Sequence, residues 1–142
     1  MNSILIIAHA PLASALRSAA LHVFPDAAAR ITAIDVSPLE SPEQTLATAQ
    51  LLLRADTHKN GFVAQDSSAS IFGTLVMSDV LGATPCNVAE KLVQGTHTQC
   101  LAGASLPMLL RAISYWHEPL AVMAAKALAG GTQGAVVVGT AP

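Results

Sequence analysis

The chain has 142 residues, a length that fits one domain with a full hydrophobic core. Hydrophobic residues make up 52% of the chain and charged residues only 11%, whereas about 25% of the residues of an average soluble protein are charged. Much of the surface is therefore predicted to carry small or apolar side chains, which could pack against another subunit. The net charge of -2 provides no basic surface, which argues against nucleic acid as a partner.

The first part of the chain alternates predicted strands and helices. Residues 3–8 form a short, continuous apolar run that is typical of a buried strand. Residues 11–23 carry apolar side chains at helical spacing, and residues 31–36 predict a second strand. A helix is predicted over residues 42–55, because Ser41 is a good cap and is followed by a proline and an acidic first turn.

The middle of the chain contains a long polar stretch and two further strands. Residues 56–70 are long for a loop in a compact domain, so they are expected to be either mobile or a small hairpin. Residues 71–77 predict a third buried strand, and residues 78–84 a loop. A helix follows over residues 85–94, with a threonine at its cap and a proline at its first position. Residues 99–102 predict a fourth short strand.

The last third of the chain predicts two helices and a final strand. Residues 106–117 form one helix, and Pro119 opens another, which the glycine pair 130–131 is expected to stop. Residues 135–138 predict a last short strand. Strands that alternate with helices predict an α/β three-layer sandwich, with a mainly parallel sheet in the order 2-1-3-4 and a short C-terminal edge strand. Without an internal repeat, residues 1–142 are expected to form a single domain.

Membrane, secretory and redox signals are weak. The longest charge-free internal stretch, residues 92–110, is long enough to span a membrane but contains seven polar or proline residues. No positively charged leader precedes the first strand, so no secretory signal is expected. Cys86 and Cys100 match no zinc or redox spacing. A reducing cytoplasm is the expected location.

Two polar residues are predicted to meet at the carboxyl edge of the sheet. His9 directly follows the first strand, and Asp79 follows the third. In the strand order 2-1-3-4 these strands are neighbours, and the crevice where strand order reverses is the usual place for a site. A carboxylate that accepts the proton of one imidazole nitrogen leaves the other with its lone pair exposed, which suits a nucleophilic histidine. Asp35, at the end of the second strand, is expected at most to contact the residues of this site and not the ligand itself.

The same edge is predicted to bind an anion. Two helices begin there, one at Ala10-Pro11 and one at Thr84-Pro85, and helix N-termini offer unpaired N–H groups. Ala10 has no side chain that can cap, which predicts open N–H groups, and Gly82 permits close backbone approach. This arrangement favours phosphoryl transfer over acyl transfer. The sequence has no phosphate-binding P-loop, no acidic pair for magnesium and no serine-hydrolase motif, so neither a metal nor a cofactor is predicted.

Three segments resemble one protein family. The segments ILIIAHAPLA (residues 4–13), SDVLGATPCNVA (residues 78–89) and AGASLPML (residues 102–109) lie in the order found in the enzyme IIA domain of the mannose family of the bacterial phosphotransferase system. The second is similar to the family segment Asp-x-x-Gly-Gly-Ser-Pro-x-Asn, and the third to Gly-x-Asn-x-Pro-Met-Leu. From the first to the last, they span residues 4–109 of the chain.

The resemblance implies a phosphoryl carrier. His9 would be phosphorylated by the histidine phosphocarrier protein HPr and would pass the group to a IIB protein or domain, with peripheral association with a membrane permease. Asp79 would orient His9, and Thr84 stands where the family has a phosphate-contacting serine. Family members are homodimers that exchange a C-terminal strand, which residues 135–138 would provide here. No IIB domain is expected within residues 1–142.

The sequence also departs from the family. Ala10 and Ala83 replace glycines, Ser105 replaces an asparagine, and residues 56–70 are longer than expected. None of these changes removes a reactive group, but they leave the docking partner open.

Other functions therefore stay open from sequence alone. The protein would be a stand-alone regulator whose phosphorylation state controls a partner through residues 56–70, or a phosphate donor to a dihydroxyacetone kinase. A module that binds a small molecule without covalent chemistry would use the same crevice. A His9-Asp79 hydrolase is disfavoured, since no serine or cysteine nucleophile adjoins the pair in sequence.

Overall fold

A central sheet of four parallel strands organises the protein. The computed structural model describes residues 1–59, 71–93 and 97–139. Its strands are ordered β2-β1-β3-β4, which confirms the order predicted from the sequence. They are β1 (Ser3–His9), β2 (Ile31–Val36), β3 (Thr74–Ser78) and β4 (Thr98–Leu101).

Helices follow every strand, as the alternating pattern predicts. In the described ranges they are α1 (Leu12–Val23), α2 (Pro42–Lys59), α3 (Thr84–Leu92), α4 (Leu106–Ser114) and α5 (Leu120–Gln133), with a short 3₁₀ helix at Pro25–Arg30 that the sequence pattern did not predict. α1 begins one residue later than expected. α2 runs four residues past the predicted end at residue 55, and the remainder of the polar stretch, residues 60–70, lies outside the described residues.

Both faces of the sheet are covered, because alternate residues of each strand point to opposite sides. On β1, Ile4 and Ile6 pack into a cluster with residues of α1, α4 and α5, whereas Leu5 and Ile7 pack into a second cluster with residues of α2 and α3. Buried on both sides, the strands read as continuous apolar runs, as expected for a parallel sheet. This layering confirms the predicted three-layer α/β sandwich and places His9 on the α2–α3 face.

The glycine pair near the C-terminus does not stop a helix, contrary to the sequence prediction. α5 continues through Gly130 and Gly131 to Gln133. A Cβ at Gly130 would lie 2.7 Å from the Cβ of Arg111, so α5 packs directly against α4 at this point. The glycines permit this close helix contact, which outweighs their low helix propensity.

Two strand predictions are also corrected. β3 begins at Thr74 rather than at residue 71, because Ile71 O accepts the N–H of Leu120 and the Gly73 N–H donates to Oδ1 of Asn2. Residues 135–137 form no strand and residues 138–139 lie in a turn, so the predicted C-terminal edge strand is absent from the single chain. These residues belong to none of the four strands of the sheet, and Val136, Val137 and Val138 are exposed.

Smaller shifts affect the ends of four other elements. β4 lies one residue earlier than predicted, α3 ends at Leu92 rather than residue 94, and α4 ends at Ser114 rather than residue 117. His9 is the last residue of β1, one position beyond the predicted strand. No described helix is both long enough and apolar enough to cross a membrane.

Candidate functional site

The candidate site lies at the carboxyl edge of the sheet, where β1 and β3 end side by side. His9 is the last residue of β1, and Asp79 directly follows β3. Ile7 pairs with Ser78 in the β1–β3 register, so His9 and Asp79 leave neighbouring strands close to the same level. The structure therefore brings together two residues that are seventy positions apart, as the strand order predicted.

Asp79 holds His9 through both its ring and its backbone. The Nδ1 atom of His9 lies 2.7 Å from Oδ2 of Asp79, and the His9 N–H donates to the same oxygen at 3.1 Å. Oδ1 of Asp79 accepts the N–H of Val80 at 3.0 Å. The histidine side chain is 55% exposed, whereas that of Asp79 is only 8% exposed. A partly exposed imidazole is thus fixed by a nearly buried carboxylate.

The charge of Asp79 determines which ring nitrogen of His9 can react. Burial raises the pKa of the Asp79 carboxyl, but the hydrogen bonds from the His9 ring, the His9 N–H and the Val80 N–H outweigh that effect and hold the pKa below its usual value. Asp79 is therefore ionised at neutral pH and can only accept. When the ring is neutral, its proton consequently lies on Nδ1, and Nε2 keeps a lone pair.

A groove beside His9 is formed by the starts of two helices. Residues of the β2–α2 connection and the first turn of α3 form it together with His9 and Ala10: Val36, Ser37, Pro38, Glu40, Pro42, Thr84 and Pro85. The groove therefore brings His9, Ala10 and Thr84 together. Gly82, just before α3, has a φ of +87°, a left-handed conformation that glycine adopts without strain.

The start of α3 differs from the prediction in one position. Thr84 is the first helical residue and Ala83 is the cap, so the cap has no side chain that can accept a hydrogen bond. Thr84 is exposed, and no described residue bonds its hydroxyl. The first turn of α3 accordingly combines an uncapped helix start with an exposed hydroxyl at the groove, which is suited to an anion.

At the start of α1, the chain itself bonds two of the N–H groups. The Ala10 N–H donates to Val36 O at 3.1 Å, and Oδ1 of Asp35 accepts the Ser14 N–H at 3.0 Å. The expectation that this helix leaves its N–H groups open for a ligand is therefore wrong for these two groups. Sequence reasoning missed the contact between Asp35 and Ser14, since the capping carboxylate comes from β2 and leaves no local pattern before α1.

Other reactive side chains lie elsewhere. His22, His97 and His117 are exposed outside the groove, and the side chain of His58 lies outside the described residues. Cys86 is buried in the first turn of α3, as expected of a small core residue. Burial, together with the neighbouring Cys86 and a glutamate, raises the pKa of the Cys100 thiol to about 11, which disfavours a thiolate at neutral pH.

Metal binding finds no support among the residues with known placement. In the described ranges, no three His, Cys, Asp or Glu side chains are grouped so that they could hold a metal ion. The site can therefore be described with a nucleophilic nitrogen, an orienting carboxylate and an uncapped helix start. This set is suited to the covalent transfer of an anionic group.

Solved structures of bacterial proteins share this fold. The mannose/sorbose-specific IIA subunit of the phosphotransferase system from Enterococcus faecalis superposes with a TM-score of 0.80 at 19% identity, covering 99% of this chain and 97% of that one. A phosphotransferase system component EIIA from Streptococcus agalactiae gives a TM-score of 0.73 at 22% identity, with coverages of 96% and 97%. At these identities the likeness shows a shared fold. Comparison with curated proteins gives no match.

A sequence-family match identifies the lineage of the chain. The family EIIA-man, described as the PTS system fructose IIA component, matches residues 3–129 and so includes the whole sheet and most of α5. Such components have a phosphotransfer role in sugar phosphotransferase systems, in which they generally meet HPr and IIB-type proteins. The chain belongs to this family of phosphotransferase-system IIA components.

Proposed function

We propose that the protein is a phosphoryl carrier that accepts a phosphoryl group from phosphorylated HPr on His9 and passes it to a IIB acceptor. The observation that carries this proposal is the 2.7 Å contact between Nδ1 of His9 and Oδ2 of Asp79, made by a histidine whose ring stays 55% exposed. A large partner can reach such a ring, and the carboxylate has already selected the nitrogen that attacks.

The proposed step transfers phosphorus between two nitrogens. The lone pair of His9 Nε2 attacks the phosphorus atom, a new N–P bond forms, and the N–P bond of the donor histidine breaks, returning its electron pair to the donor ring. The proton on Nδ1 stays in place throughout. The positive charge that develops on the His9 ring lies next to the ionised Asp79, which stabilises it.

The start of α3 supplies the proposed phosphate contacts. Thr84 offers a hydroxyl and Gly82 a close backbone approach, and both lie at a helix end that has no capping side chain. Ala10 contributes differently, because its N–H is bonded to Val36 O. Its small side chain leaves room beside His9. We therefore assign phosphate binding mainly to α3. Ala10 contributes only the space that the phosphoryl group needs beside His9.

Labelling with radioactive phosphoenolpyruvate, enzyme I and HPr tests this function. We expect label on the wild-type protein and on His22→Ala, a matched control that removes an exposed histidine from the far end of α1. His9→Ala should stay unlabelled. Phosphorus NMR should assign the phosphoryl group to Nε2. Equal labelling of His9→Ala and wild type would refute the proposal. Chasing the label into a IIB protein tests the carrier role against a purely regulatory one.

We also propose that residues 1–142 form one IIA domain and that the domain is a homodimer. Val136, Val137 and Val138 are 70%, 78% and 89% exposed, an unusual run of apolar surface for a chain end. Pairing this segment with a second copy would cover it and would form the strand that the single chain lacks. We expect the full chain to sediment as a dimer and a chain truncated after Gly134 as a monomer. A dimeric truncated chain would exclude the segment as the dimer contact.

A further inference from the structure

We propose that Asp35 is a positioning residue for phosphoryl transfer at His9. It does not contribute to the groove that contains His9, and it acts by fixing the first turn of α1, which follows directly from the reactive residue. This inference rests on the proposed function and adds a residue to its machinery. One of the measurements that test it, the ¹⁵N signals of the His9 imidazole, does not depend on any phosphoryl donor.

Asp35 holds α1 through both of its oxygens. Oδ1 accepts the Ser14 N–H at 3.0 Å, and Oδ2 accepts the Ser14 hydroxyl. The hydroxyl oxygen also lies 3.2 Å from Pro11 O, so Ser14 connects the carboxylate to the start of the helix. Pro11 itself is the cap residue of α1 and makes no side-chain cap bond. Asp35 thus replaces the local cap that the sequence around Pro11 does not provide.

Two consecutive residues of β2 hold the connection from His9 to α1 at both ends. In the register, Ala8 pairs with Asp35 and His9 pairs with Val36, and Val36 O accepts the Ala10 N–H. After β1, the chain is hydrogen-bonded to β2 at two points, first through the Ala10 N–H and then through Ser14. The few residues between them therefore have little freedom to move, and His9 is the residue from which they start.

The carboxylates of Asp79 and Asp35 consequently act on different faces of the sheet. Ile34 and Val36 pack into the α2–α3 cluster, so Asp35 between them faces α1. Asp79 orients the ring of His9, whereas Asp35 fixes the backbone that follows it. Because displacements of about 1 Å can cost up to about 10²-fold in rate, a loosened connection should slow the transfer without removing any reacting group.

Asp35→Ala tests the inference, with Asp26→Ala as the matched control. Asp26 is an exposed acid in the 3₁₀ helix at the opposite edge of the sheet. Asp35→Ala should fold, because the fully buried Ala13 still anchors α1. We expect it to accept the phosphoryl group about 10-fold more slowly below its melting temperature and to shift the ¹⁵N signals of the His9 imidazole. Asp26→Ala should change neither.

Asp35→Asn provides the rescue test. Asparagine keeps one oxygen acceptor for the Ser14 N–H and loses the charge. The transfer rate and the His9 imidazole signals of Asp35→Asn should therefore lie close to those of wild type. Wild-type transfer rate and unshifted His9 signals in folded Asp35→Ala would overturn the inference, even if that variant melts earlier. If Asp35→Ala does not fold, Ser14→Ala takes its place, because it removes the hydroxyl that Oδ2 of Asp35 accepts; it should shift the His9 imidazole signals, and unshifted signals would overturn the inference. A wild-type protein that accepts no phosphoryl group refutes the proposed function instead, whereas the imidazole signals still report on Asp35.

Discussion

Replacing Asp79 by asparagine should nearly abolish phosphoryl transfer while leaving His9 in place. Asparagine has almost the same volume, but its amide group donates where the carboxylate accepted. An amide that faces Nδ1 favours the tautomer with the proton on Nε2, the nitrogen that must attack. The wrong tautomer and the loss of the negative charge beside the ring together should slow transfer by about 10²–10⁴-fold.

The same substitution should lower stability in a pH-dependent way. Oδ2 of Asp79 accepts two hydrogen bonds and Oδ1 a third, and the side chain is only 8% exposed. Replacing the charged acceptor should cost about 1–2 kcal/mol at neutral pH. The folded protein holds the pKa of Asp79 below its usual 3.8, so the carboxylate's contribution is fully present above that pH and is lost as the pH falls through the folded-state pKa. The difference in unfolding free energy between wild type and Asp79→Asn should therefore shrink in acid.

Two measurements check these expectations. Single-turnover transfer from labelled phospho-HPr gives the rate, and urea unfolding near neutral pH and at about pH 3 gives the stability difference. Asp26→Asn, which changes an exposed acid away from the site, is the control. A transfer rate for Asp79→Asn within a few-fold of wild type would refute the claim that Asp79 selects the reactive nitrogen of His9.

Substitutions at Thr84, at Asn2 and at the glycine pair of α5 test the proposed phosphate contact, a set of buried hydrogen bonds and the packing of two helices. Thr84→Val should slow transfer by about 10-fold because it removes the hydroxyl at the start of α3, whereas Thr84→Ser should stay near wild type; quench-flow labelling compares them. Asn2→Ala should lower the unfolding free energy by about 3–5 kcal/mol in urea titrations, because it leaves two carbonyls and one N–H without the bonds that the fully buried Asn2 side chain provides. Gly130→Ala should lower the melting temperature, since its Cβ would meet that of Arg111 at 2.7 Å, while Gly131→Ala should cost less because it meets the flexible end of a methionine.

The strand order and the meeting of His9 with Asp79 could be predicted because both depend on patterns that the sequence displays directly. Short apolar runs marked the strands, helical spacing marked the elements between them, and the order 2-1-3-4 then put the ends of β1 and β3 together. The role of Gly130 could not be predicted in this way. A glycine pair is typical of a helix end, and only the approach of α4 reveals that the same pair is a packing surface. Likewise, nothing local indicates whether residues 135–138 have a strand to pair with.

Asp35 shows where more could have been taken from the sequence. The start of α1 has no serine, threonine, aspartate or asparagine at its cap, and this absence predicted N–H groups open to a ligand. A helix start without a local cap can receive an acceptor from elsewhere in the chain, because unsatisfied N–H groups are costly. A carboxylate between the apolar Ile34 and Val36 must point to the face opposite theirs, which is the α1 face. At α3, by contrast, no described side chain accepts a hydrogen bond from an N–H group of the first turn. The uncapped start of α3 also has the exposed Thr84 hydroxyl in the groove with His9, which makes it the favoured of the two helix starts for a phosphoryl group.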